Sequence, residues 1–169
     1  MPKSLAEGHI KVAILTVSPA NPAAPTAAEL NAGIDASGRI LASDFTWSAT
    51  DSDKVQEKAL SDLNNVNALA ASNYSAGITI WRYFNAGTGA PDPVEDALFT
   101  ACKTKGTTLW IYARETGKLA TAAWASTDEL YLGGEVLTDT PQRPGDVGGY
   151  IKRRVPLEMQ KAYPNIAVA

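Results

Sequence analysis

Histidine, cysteine and paired carboxylates carry most protein chemistry, and this chain supplies few of them: one histidine, His9, and one cysteine, Cys102, in 169 residues. His9 opens the apolar run "HIKVAILTV" with no Cys, Asp or Glu at ligand spacing, so a Ser-His-Asp triad or a histidine metal centre would rest on it alone. The carboxylate pairs Asp51 with Asp53 and Asp128 with Glu129 are of the right type for acid and base work. They lie in polar stretches without an apolar pocket to move a pKa, which predicts solvated surface. "NAGTGAP" and "GDVGG" lack the Lys-Ser/Thr ending of a phosphate loop and do not lead from a strand into a helix, so they read as turns. The expectation is no catalytic residue, no metal site and no bound cofactor. Of the four tryptophans, Trp81 and Trp110 stand in the two most apolar runs and read as core. Trp124 is left open, and Trp47 reads as an anchor for another chain or a ligand.

Composition points the same way. A hydrophobic share of 45% against 20% charged fits one folded domain, residues 1–169. A formal charge of −3 argues against a protein that holds nucleic acid by neutralising phosphates. A single cysteine excludes an internal disulfide framework. No apolar run approaches the roughly 20 residues of a membrane helix, and "VAILTV" is short for a secretory signal core, so the expectation is a soluble chain without membrane contact.

What remains is the set of elements. Residues 9–17 read as a strand. Behind it Pro19, Pro22 and Pro25 fall three apart, a spacing that predicts an extended, unpaired arm. The arm ends in "TAAE", a capping box of Thr26 and Glu29 that opens a short helix through Leu30 to Gly33, so 18–33 form one unit with the look of a tether. Residues 50–75 are polar and longer than most loops within a compact domain, which predicts a loop or hairpin ordered by a partner. "AGITIWRYF" (76–84) and "TTLWIYARE" (107–115) read as strands. Between them Asp92, Pro93 and Glu95 mark the start of one principal flanking helix at 92–105, with Val94, Ala97, Leu98, Ala101 and Cys102 as its buried stripe. "DELYLGGEVLTDT" and "GGYIKRRVPLEMQ" read as a hairpin. Glu129, Glu135 and Asp139 share a wet face there with Lys152, Arg154 and Glu158, while Leu130, Leu132, Val136, Ile151, Val155 and Leu157 line a core. The class is mainly antiparallel β with one packed helix, about six strands in all.

The order "HIKVAILTV", "ANPAAPTAAELNAGID", "RYFNAGTGAPDPVEDALFTACKTKGTTLWIYARETGK" and "RRVPLEMQ" resembles the major tail tube protein of long-tailed, non-contractile bacteriophages, especially those of actinobacteria. The resemblance spans most of the chain, though no part of 50–75 is diagnostic. It implies a β-sandwich or half-barrel protomer, hexameric rings stacked into a tube, and a conduit for the genome. It further implies a tape measure protein and tail terminator or baseplate proteins as partners, and a virion subunit made in the bacterial cytoplasm. On this reading DNA passes without specific binding, since a cationic wall would stall it. Pro19, Pro22, Pro25, Glu29, Leu30 and Trp47 become candidate intersubunit contacts. Asp51, Asp53, Glu57, Glu129, Glu135 and Asp139 become candidates for the lumen wall. The rival readings are an inner-tube protein of a contractile tail or injection machine, and a β-sandwich adhesion module that binds sugar through Trp47 and Trp124.

Overall fold

The computed structural model describes residues 5–145 and 147–169. In chain order the elements are β1 (Ile10–Leu15), α1 (Ala27–Ala32), β2 (Ile34–Asp35), β3 (Thr46–Thr50), β4 (Lys54–Glu57), β5 (Val66–Leu69), β6 (Asn73–Trp81), α2 (Ala97–Cys102), β7 (Thr108–Glu115), β8 (Glu129–Thr138) and β9 (Lys152–Ala167). Seven strands form one sheet in the order β2-β1-β7-β8-β9-β6-β3, antiparallel at every pairing, while β4 and β5 pair only with each other. The fold is mainly β, as the alternation of apolar and polar residues predicts.

The sheet doubles over along β9. This 16-residue strand pairs with β6 through Lys152–Leu157 and with β8 from Leu157 to Ala167. Trp47 on β3 donates its indole N–H to the Leu132 carbonyl on β8 at 2.9 Å, although β6 and β9 separate those strands in the sheet. Two layers therefore face each other. Val12, Ile14, Leu109, Ile111, Leu132 and Val136 on one side meet Trp47, Ile78, Ile80, Val155 and Leu157 on the other, with Leu98 and Cys102 of α2 in the same core. A second, smaller core lies on the outer face of the β1-β7-β8 layer, where Ala13, Leu15, Tyr112 and Leu130 pack with Leu30 and Trp124. Such a sandwich buries both faces of β1 and β7, which explains their almost unbroken apolar runs.

Alternation alone misplaces several residues. Ala113 pairs with Leu132 and Arg114 with Leu130, so Tyr131 is an extra residue in β8. A bulge reverses the side chains beyond it, and Leu130 joins the outer core rather than that of Leu132. Ile151, expected in the core, precedes β9 and is 55% exposed. Trp81 and Trp110, expected as core, are half-buried, whereas Trp47 and Trp124 are 6% and 4% exposed.

The principal helix is shorter than 92–105. Asp92 Oδ1 accepts from the amides of Val94 and Glu95, but this caps a turn, with Val94 68% exposed, and α2 starts only at Ala97. The interruption falls at Asp96, which leaves the helix pattern to meet Arg82. Arg82 Nε and Nη2 donate to both carboxylate oxygens at 2.8–3.1 Å, the Tyr83 amide adds a third donor, and the guanidinium lies 3.8 Å from the Phe99 ring centroid. A bidentate pair of this kind fixes α2 on β6 by geometry as well as charge.

Candidate assembly surfaces

The proline arm belongs to the protomer. It is unpaired, as expected, but it is not extended: Asn21 closes a turn by accepting from the amides of Ala23 and Ala24. Thr26 caps α1 with the predicted box, and Glu29 reaches further, accepting from the Ala20 amide at 2.8 Å. The Ala20 and Thr26 amides hold the Glu29 carboxyl below its ordinary value. Pro19 and Pro25 are buried, the Tyr112 hydroxyl donates to the Pro22 carbonyl at 2.9 Å, and the Ala169 amide donates to the Pro25 carbonyl. Leu30, 1% exposed, is a core residue. The reading of the arm as a tether outside the protomer core is therefore corrected: of its candidate contact residues only Pro22 and Glu29 reach the surface.

Trp47 is corrected on the same ground. Its ring fills the space between the two layers and its N–H is satisfied internally, so it cannot anchor another chain or stack on a ligand. Trp124 is equally unavailable, with Arg114 over its face at 5.3 Å. The sugar-binding reading loses both of its rings.

Residues 50–75 form an outlier of another kind. β4 and β5 make a hairpin whose residues are all exposed, including Val55, Val66 and Leu69 in the strands and Leu60 and Leu63 in the turn between them. Asn73 braces its root, donating to the Asp51 carbonyl and to Asp53 Oδ1, and Asp62 closes its tip by accepting from the Ala59 amide. An isolated two-stranded hairpin is marginal in water, and this one carries five bare aliphatic side chains.

The lumen candidates separate into two groups. Asp51, Asp53 and Glu57 belong to this hairpin, and Glu129, Glu135 and Asp139 to β8 and its end. Glu135 lies 3.5 Å from Lys161 and Asp139 3.5 Å from Lys105, so each of these carries a counter-charge.

One cluster escaped sequence reasoning. Asp128, expected at the surface, is 4% exposed and takes Arg114 Nη1 at 3.0 Å, the Ala125 amide and the Lys118 ammonium. Burial pushes its carboxyl up, and these three donors more than offset that, leaving it below the ordinary value. Arg114 also donates to the carbonyls of Leu119, Ala122 and Ala123, which pins the 116–128 loop to β7. The signal was an arginine inside the strand "TLWIYARE", which requires a buried acid elsewhere. Cys102 is sealed in the core, and burial pushes its thiol up to about 12, so it offers no nucleophile. His9 Nδ1 contacts the Glu7 carbonyl at 2.8 Å, and among the described residues no group of His, Cys, Asp or Glu is placed to hold a metal.

The arrangement is that of a two-layer body from which an apolar hairpin projects. No curated protein and no solved structure matches the chain. The family model described as Phage tail tube protein matches residues 1–169, and the chain therefore belongs to the phage tail tube proteins, structural components of the virion tail that assemble with themselves into a tube and join other tail components.

Proposed function

We propose that this chain is the tube subunit of a long, non-contractile tail of the actinobacteriophage type, closing into hexameric rings that stack into a conduit for the genome. The observation that carries the reading is the β4–β5 hairpin, which leaves five aliphatic side chains bare beside a core that is complete without it. The ring number and tail type rest on the resemblance. Tape measure and terminator or baseplate proteins are the partners at the ends of such a tube, and the subunit is made in the bacterial cytoplasm before assembly.

A conduit also needs a wall that does not hold phosphate. Asp51, Asp53 and Glu129 are the strongest candidates for that wall, with Glu135 and Asp139 weakened by their lysines and Glu57 set further out along the hairpin. Screening over about 8 Å in physiological salt limits the effect to charges at the wall itself.

Negative-stain microscopy of the concentrated protein, paired with sedimentation, tests the proposal. Stacked rings or tubes of constant diameter are expected. Monodisperse monomers at every concentration would overturn the reading, and a tube whose lumen is strongly positive would overturn the account of its wall.

A further inference from the structure

A second exposed apolar patch lies at the far end of the strand that follows the hairpin. The hairpin's root is at Asn73, where β6 begins. Where β6 ends, the Arg82 amide donates to the Ile151 carbonyl and Trp81 pairs with Lys152, which seats the 147–153 loop there. Arg143, Val147, Tyr150, Ile151, Lys152 and Arg153 line a shallow groove. Val147, Tyr150 and Ile151 are 75%, 82% and 55% exposed, and among the described residues none of the three cations has an ion pair. The hairpin is complementary: Leu60 and Leu63 are fully bare, and Glu57 and Asp62 flank them with Lys58 as the single cation of the turn.

We infer that the hairpin tip of one copy, Leu60 and Leu63 with Glu57 and Asp62, docks in the Arg143–Arg153 groove of a second copy of this chain. A nine-residue strand spans about 30 Å, so the hairpin's root and the groove lie at opposite ends of β6, while a copy displaced along β6 brings hairpin and groove together. Because the two patches differ, the contact is heterologous and repeats from copy to copy without using itself up. This inference rests on the tube reading and gives it a direction: copies join head to tail along β6. The same docking covers two exposed apolar patches at once and matches carboxylate to guanidinium and ammonium.

The test uses two full-length variants that each gain one exposed thiol beside the contact and keep its side chains, Ser61→Cys and Gly145→Cys, with the native Cys102 buried. They are assembled alone or in equal mixture and treated with a short bismaleimide. The expected product is a covalent dimer joining one chain of each kind, formed in the mixture and absent from either variant alone. Arg143→Glu and Tyr150→Ala, both on the exposed loop, should melt like the parent and lower tube yield at least tenfold. Tubes that form without the mixed dimer, or in which the Ser61→Cys variant cross-links to itself, overturn the docking while leaving the tube reading intact. Tubes of normal yield from both loop variants do the same. A parent chain that forms no tubes overturns both.

Discussion

At the scale of single residues, the stability of this protein rests on positions that alternation does not mark. A Cβ at Gly133 would lie 2.5 Å from the Tyr112 ring, whereas one at Gly77 meets nothing within 4 Å. Gly133→Ala should therefore cost about 1–3 kcal/mol in a denaturant titration and loosen the ring that holds the arm, while Gly77→Ala should be close to neutral. Equal midpoints for the two variants would refute the packing argument. Asp128→Asn removes the charge that matches a fully buried Arg114, a loss of about 3–5 kcal/mol. Its pH signature has a definite sign. The folded carboxyl titrates below its ordinary 3.8, so its contribution is complete above that value and is lost as pH falls through the lower folded value. Acid unfolding of the parent should show this loss below about pH 4, and the Asn variant should be less stable at neutral pH with a flatter acid limb. Parallel acid limbs would show that Asp128 does not carry that share of the acid response.

Among the elements, α2 and the hairpin are opposites. Leu98 is fully buried under α2, and Leu98→Asp should leave little soluble folded protein, because a buried unpaired charge costs several kcal/mol against a total of roughly 5–15. A variant as soluble and heat-resistant as the parent would mean that α2 is not part of the core. Replacing 54–69 with a short turn removes only exposed side chains, so circular dichroism and melting should stay near those of the parent while sedimentation shows no tubes. Normal assembly without the hairpin would remove it from the interface. The contrast explains what was legible in the sequence. β1, β7 and the capping box of Thr26 are written locally, in β-branched runs and a four-residue motif, and they form where the sequence predicts, while β6 forms three residues earlier than the expected 76–84. The extent of α2, the side taken by Leu130, the role of Trp47 and the burial of Asp128 depend on partners distant in the chain. Asp96 leaves the helix for Arg82, Trp47 crosses to Leu132, and Asp128 is drawn inward by Arg114. The hairpin was legible as a segment too long and too polar for a compact domain. Its acceptor groove was not, since Ile151 fits a core pattern until the strand starts one residue later.

At the scale of the whole molecule, the arm is part of the folded body and the hairpin stands outside it. Deleting 19–32 removes buried Leu30, worth about 1.5–3 kcal/mol, and leaves the Tyr112 hydroxyl without its acceptor, a further cost of about 1–3 kcal/mol. The deletion should therefore lower the denaturation midpoint strongly, and a deletion variant that melts with the parent would reduce the arm to decoration. The long strand β9 adds a mechanical consequence. It is laddered lengthwise to both layers, so a force drawing the layers past each other along the strand strains many hydrogen bonds at once, in shear. The hairpin has only its own four-residue ladder, which peels open one bond after another. Under tension or bending a chain of such subunits should yield first at the hairpins, flexing between protomers while each protomer stays rigid.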